Sequence, residues 1–318
     1  MVNVTETMAP VVQRVRAYFA PINRMTKTAT IFDPAQSGAF NLDVPPAPWI
    51  DLGWIANFAR KSGTKIDTIR SGAPATTHLQ TRSEVDATVA LSFESWGKLQ
   101  LALAAGVQQM NLLNAASGAA AAGSGGTAIA AVPLVSGSTA TVLQVGAIAA
   151  AGFSVGEIVA VDIDYAGATG FIGSGVSGAY VKSALTDVDY TRRITLNVGR
   201  IASIGTGTSA GSLTLESPLI AGVPTSAMKV SGVAGFCDRE GSSFFQEWSA
   251  LFVGVGQQQE RVLWHYPRLQ AMSGIAEANA ASTGGFEKVR LSGAFRALPV
   301  TDAVDGETVV CFRSYVVA

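Results

Sequence analysis

The residues of this chain that could do chemistry fall into small groups, and each lacks the partners its chemistry needs. Gly152, Ser154 and Gly156 (GFSVG) match G-x-S-x-G. In a nucleophile elbow of that pattern a strand enters and a helix leaves, so that the serine oxygen stands exposed. Here the following residues are EIVAVDID, a β-branched strand. The available bases are His78, in a polar stretch, and His265, inside an aromatic run. A structural turn is the expectation, with a serine hydrolase triad as the alternative.

Gly173, Gly175 and Gly178 (GSGVSG) match G-x-G-x-x-G, which binds a dinucleotide only where the glycines join a strand to a helix with an acidic residue about twenty positions on. The preceding residues are themselves glycine-rich, and Asp187 and Asp189 come too early. No cofactor is expected. Asp162 and Asp164 share one face of a predicted strand without a third ligand, and His78 and His265 have no partner at ligand spacing; solvated carboxylates are expected there and no metal. Cys237 and Cys311 are too few for a disulfide scaffold, so reduced, largely buried thiols are expected, a single bridge being the alternative. Arg14, Arg16, Arg24 and Lys27 near the start suit ion pairs between subunits better than a nucleic-acid face.

The elements that would position these residues follow from composition and pattern. Of 318 residues 48% are hydrophobic and only 14% charged, against about 25% charged in an average soluble domain. Much of the surface must then be neutral or in contact with other protein. Glycine at 34 residues, with abundant Ala, Ser and Thr, favours short strands and tight turns, so a mainly β fold is predicted. The balance of 22 basic against 23 acidic residues leaves a net charge of −1, which argues against sequence-specific duplex binding. No apolar run reaches the ~18 residues of a membrane span and the start lacks a signal-peptide pattern, so assembly in a cytoplasm is expected.

Along the chain, residues 1–48 carry Pro21, Pro34, Pro45, Pro46 and Pro48 and read as an extended arm, with a short strand or helical turn at 11–19. Strands are predicted at 49–60 and 82–93, joined by a long polar loop at 61–81. A helix is predicted over 94–114, with Trp96, Leu99, Leu103, Val107, Met110 and Leu113 as its apolar stripe and Ser95 as its cap. Residues 115–127 (AASGAAAAGSGGT) read as a flexible linker. Short strand signals follow at 140–145, 157–164, 193–204, 212–215 and 228–233, the spacing of a small barrel or sandwich. Alternating runs at 261–270, 288–299 and 307–317 close the chain as half-buried strands whose outward face suits a protein partner. The organisation expected is one β domain from 1–118 and 236–318, with a second, inserted β domain at 119–235.

The runs YFAPIN, IFDPAQSGAF, PAPWIDLGWIANFARKSGTKI and RSGAPATTHLQTRSEVDATVALSFESWGKLQLAL, with GSSFFQEWSALFV, RVLWHYPRLQ and LSGAFRALPVTDAVDGETVVCFRSYVV, resemble tail tube proteins of long-tailed bacteriophages. The resemblance covers about two thirds of the chain and omits the inserted segment. It implies a β-sandwich or split barrel with one flanking helix, and hexameric rings whose inner wall is a continuous β-barrel. Such rings stack into a tube that carries the genome from virion to host. The implied partners are further copies of the chain and other tail proteins (terminator, tape measure, baseplate or tip). DNA passes through the lumen without sequence-specific binding, and the inserted domain projects outward toward host surfaces. The implied contacts between subunits are Arg14, Arg16, Tyr18, Phe19, Arg60, Lys61, Lys65, Arg70, Arg82, Tyr266, Arg268, Phe295 and Arg296. Another virion β protein, such as a capsid decoration or fibre component, is the competing structural class.

Overall fold

The computed structural model describes residues 12–22, 26, 28–116, 128–163, 178–179, 190, 193, 196–207, 210–241, 246–257, 259–272, 276–278 and 290–316. It is mainly β, as the composition predicts. In chain order the elements are β1 (Val12–Pro21), a 3-10 turn (Pro34–Ala39), β2 (Ile50–Ser71), β3 (Thr76–Phe93), α1 (Lys98–Ala105), β4 (Gln108–Leu113), β5 (Val132–Pro133), β6 (Val142–Gln144), α2 (Ala147–Ala150) and β7 (Ile158–Asp162). They continue with β8 (Gly178–Ala179), β9 (Val198–Ile204), β10 (Ser212–Leu215), β11 (Lys229–Arg239), β12 (Glu247–Gly256), β13 (Arg261–Ala271), β14 (Ala276–Ala278), β15 (Arg290–Ala297), β16 (Val300–Thr301), β17 (Thr308–Val309) and β18 (Phe312–Val316). They group into two compact units, one of Met1–Ile22, Lys27–Gly106 and Phe245–Ala318, the other of Asn23–Thr26 and Val107–Phe244.

In the first unit one antiparallel sheet runs β14-β15-β3-β2-β1-β12-β13-β18, and β15 also pairs with β13. That extra pairing, Leu269 with Ala297 through Ala271 with Phe295, closes six strands into a barrel. Phe19 on β1 meets Phe295 on β15 at 5.8 Å and Phe252 on β12 at 6.0 Å. Because β1 and β15 are not sheet neighbours, the first of these contacts crosses the barrel interior. The alternate residues Tyr18, Leu251, Val253 and Leu263 face the other way, where Phe32, Phe40 and Trp49 cover them.

That cover is a strap formed by residues 28–49. Thr30 N–H donates to Ser249 Oγ at 2.8 Å, Phe32 N–H to His265 Nε2 at 3.3 Å, and Arg261 Nη1 to the Ser37 carbonyl at 2.6 Å. Tyr18 Oη donates to the Leu42 carbonyl at 2.9 Å. The strap bears on two expectations. The short strand or helical turn expected at 11–19 is strand β1, which lies in mid-sheet with Ala17, Tyr18, Phe19 and Ala20 fully buried, since a strand apolar on both faces needs cover on both. Residues 28–48 of the expected arm lie on the body of their own chain. The outward face of β13 is likewise filled by this chain's own aromatics, and His265 is buried there beside Trp49.

The helix is shorter than its apolar stripe predicts. α1 starts from Gly97 and stops at Gly106, which adopts φ +64°. An added Cβ there would stand 2.5 Å from Ala271 Cβ, so only glycine permits both the left-handed turn and the close approach. Val107, Met110 and Leu113 therefore leave the helix, and β4 pairs with β11 from Gln108–Arg239 to Leu113–Val233.

The second unit builds a sheet of order β6-β10-β9-β7-β11-β4-β8, with β5 on β11. Its core is Leu143, Val159, Val161, Ile201, Leu213, Leu215 and Val230 with their neighbours. The unit runs beyond the expected edges at 119 and 235 because β4 and β11 pair within it. The predicted linker, apart from Ala115 and Ala116, lies outside the described residues.

Candidate interaction surface

The predicted loop at 61–81 is instead the outer half of a hairpin. β2 and β3 stay paired from Ile55–Phe93 out to Ser71–Thr76, with only residues 72–75 turning. The polar stretch alternates Thr, Lys and Ile well enough to pair as strands, and Gly72 (φ +96°) breaks it only at the tip. On the flanks β1 reaches β2 only to Ile55, and β15 reaches β3 only to Thr88. Beyond those points the hairpin is a two-stranded ribbon whose edges meet no further strand among the described residues.

Its register sorts the side chains onto two faces. One face, continuing that of the buried Ala87 and Val89, carries the pairs Thr64–Val85, Ile66–Arg82 and Thr68–Gln80. The other carries Lys61–Thr88, Gly63–Asp86, Lys65–Glu84, Asp67–Thr81 and, nearest the tip, Ile69–Leu79. Residues 64–86 are exposed on both faces. Four large aliphatics stand in solvent: Ile66 and Ile69 at 55%, Leu79 at 50% and Val85 at 41%. A bare two-stranded ribbon is marginal in water and gains stability by packing, while open strand edges are templates for pairing with another chain. The two edges also differ in charge. Lys61, Lys65 and Arg70 against Asp67 make β2 basic, and Glu84 and Asp86 oppose Arg82 on β3.

The thirteen contact residues implied by the resemblance separate into three groups. Lys61, Lys65, Arg70 and Arg82 lie exposed on the ribbon. Arg14, Arg16, Arg60, Arg268 and Arg296 are engaged within the chain: Arg14 with Glu94 at 3.2 Å, Arg16 with Asp51 at 3.0 Å and Asp43 at 2.6 Å, Arg60 with Tyr266 Oη at 3.1 Å, Arg268 with Glu247 at 2.9 Å and Arg296 with Asp86 at 3.1 Å. Of these, Arg14 and Arg296 remain about half exposed. Tyr18, Phe19, Tyr266 and Phe295 are a correction: all are buried at 2% or less, so they pack the barrel and offer a neighbour no surface. The exposed aliphatics Ile66, Ile69, Leu79 and Val85 were not singled out. Their signal in the sequence was an apolar residue amid polar ones, which a loop reading discards.

The groups considered for chemistry are placed as structural parts. Ser154 sits between the helical turn α2 and strand β7, the reverse of elbow order; its N–H donates to Glu157 Oε2 at 3.0 Å. Asp162 is buried, not solvated, and accepts from Arg193 Nε at 3.0 Å. Asp164, Asp187, Asp189, Gly173, Gly175, Arg24 and Lys27 lie outside the described residues, while Gly178 opens β8. Cys237 and Cys311 are free thiols, both partly exposed. Burial raises the Cys311 pKa and pushes Tyr266 up to about 12, which leaves both protonated at neutral pH. Among the described residues there is no cluster of three His, Cys, Asp or Glu side chains, and no helix long and apolar enough to cross a membrane. No family model and no curated protein matches this chain.

Proposed function

We propose that this protein is a self-assembling structural subunit of a phage-like tail tube. Copies close into six-membered rings and the rings stack into the conduit through which a genome leaves the virion. The observation that carries the reading is the β2–β3 ribbon, exposed over residues 64–86 and, past Ile55 and Thr88, without a further strand on its edges among the described residues. Its unlike edges suit head-to-tail pairing, the basic β2 of one copy beside the more acidic β3 of the next, and a heterologous contact of that kind closes by rotation. The resemblance to tail tube proteins in the first unit points the same way, as does the low share of charged residues. On this reading the edge of β18, which pairs with no strand but β13 among the described residues, is a second place for strand addition, the second unit faces outward, and the wall lets DNA slide past without specific contacts. The other tail components, terminator, tape measure and baseplate or tip, cap and fill the tube.

Electron microscopy of the purified protein across concentration and salt tests this. Six-fold rings or tubes are expected, and a monodisperse monomer under every condition overturns the reading.

A further inference from the structure

The turn between β12 and β13 spells Gln257-Gln258-Gln259, and the assembly proposed above makes no use of it. Gln259 adopts φ +67°, one of two non-glycine residues with a positive φ among the described residues. That region crowds any Cβ, so glycine or asparagine occupies it at lower cost. Strain of this kind is retained where it aims a side chain at a site. Gln257 and Gln259 are both exposed, so their carboxamides do not pack the barrel core.

Both glutamines line an open cavity of about 270 Å³, with Arg14, Trp54, Val255 and Gly256. Strand register brings these residues together: Arg14 on β1 stands opposite Val255 on β12, and Trp54 on β2 opposite Arg16. The Gly256 N–H donates to the Glu260 carbonyl at 2.9 Å and closes the turn. Arg14 is held from two sides, its guanidinium 4.3 Å from the Trp54 ring centroid and 3.2 Å from Glu94. Arg16, 5.3 Å from the same ring, is balanced by Asp43 and Asp51. The cavity therefore presents fixed N–H donors whose charge is already compensated.

This lining selects a class of ligand. Two carboxamides offer donors and acceptors together, the guanidinium adds donors, and the indole and Val255 supply apolar wall. An anion gains little where the countercharge is taken. An apolar ligand would strip water from the amides and the guanidinium without replacing those hydrogen bonds. A neutral pyranose satisfies both halves: its vicinal hydroxyls donate and accept, and its C–H bonds pack against the indole and Val255. The volume lies just under the roughly 300–1,000 Å³ of drug-sized sites, which suits one sugar ring. The six lining residues carry no carboxylate, imidazole or thiol, so the site binds without reacting.

We infer that the cavity between the β12–β13 turn and Trp54 is a binding site for a neutral pyranose. It is complete within one chain and does not rest on assembly.

Saturation-transfer difference NMR on the full chain with D-glucose, D-galactose and D-mannose, each at millimolar concentration, tests it. At least one sugar should receive saturation at its ring protons, and the matching uronic acid should bind no better. Gln257→Ala and Gln259→Gly should each weaken that sugar about tenfold, the equivalent of one lost hydrogen bond. Both positions are exposed and Gln259→Gly relieves the backbone, so the melting temperature should hold or rise. No saturation of any of the three sugars, tighter binding of the uronic acid, or unchanged affinity in both variants overturns the inference.

Discussion

His265 shows how one buried residue couples the strap to the barrel. It is 2% exposed, lies parallel to Phe312 at 5.9 Å, and accepts the Phe32 N–H at Nε2. Nδ1 then carries the proton and donates it to the Ala250 carbonyl at 3.2 Å, so the folded imidazole is neutral. Burial lowers its pKa from 6.5 to about 4, against the opposing Ala250 hydrogen bond. As pH falls through 6.5 the unfolded chain takes up a proton that the folded one refuses until about 4. The contribution is therefore fully present above 6.5 and declines between 6.5 and 4, by on the order of 3 kcal/mol. Urea titrations at pH 7 and 4.5 should show a loss that His265→Gln, which cannot ionise, largely removes; an equal loss in both proteins would refute the assignment. At neutral pH the same substitution separates the value of the ring packing from that of its charge state.

At the scale of elements, a glycine turn and a long hairpin decide much of the architecture. Gly106 ends α1 in a left-handed conformation against Ala271. Gly106→Ala therefore adds backbone strain and overpacking together, and should cost about 2–4 kcal/mol in thermal or urea unfolding. A loss below 0.5 kcal/mol would mean that the helix end relaxes freely. The ribbon makes the opposite prediction. Ser62 and Ala87 are directly paired, so replacing residues 63–86 by Asn-Gly closes the hairpin with a two-residue turn. What is lost from the folded subunit is exposed surface and the half-exposed Asp86–Arg296 pair, worth at most about 1 kcal/mol. The shortened chain should melt within a few degrees of the original and fail to form rings or tubes, as sedimentation would show. A collapse of stability would instead make the ribbon part of the subunit's own fold.

For the whole molecule, the division into two units carries its own test. β4 and β11 run antiparallel, with Asn114 N–H on the Gly232 carbonyl at 3.0 Å. Replacing residues 116–231 by a short Gly-Ser turn therefore joins strand ends that are already neighbours, at a small closure cost. The barrel, with its own core of Phe19, Phe252, Tyr266 and Phe295, should keep its near-ultraviolet circular dichroism and its capacity to assemble. Loss of folding would show that the units depend on each other.

Period-two alternation made most strands legible, since a residue's face along a strand follows from its position alone. The sequence predicted 212–215, 228–233 and 261–270 as strands, where the structure has Ser212–Leu215, Lys229–Arg239 and Arg261–Ala271. Glycine, proline and low charge indicated a mainly β chain. What a linear pattern does not carry is the cover of each face and the partner of each edge. Residues 11–19 read as a short strand or helical turn within an arm, and only the strap at 28–49 and the strands β2 and β12 closing around Val12–Pro21 make it a mid-sheet strand. The 61–81 stretch reads as a loop because its pairing partner is only the opposite strand of the ribbon and no core dictates its apolar spacing. Tyr18 and Phe295 as core, and Ile69 and Leu79 as surface, were decided by barrel closure between β13 and β15 and by the ribbon outrunning its neighbours. Local sequence sets which way a side chain points; only long-range pairing sets whether protein or water is there to meet it.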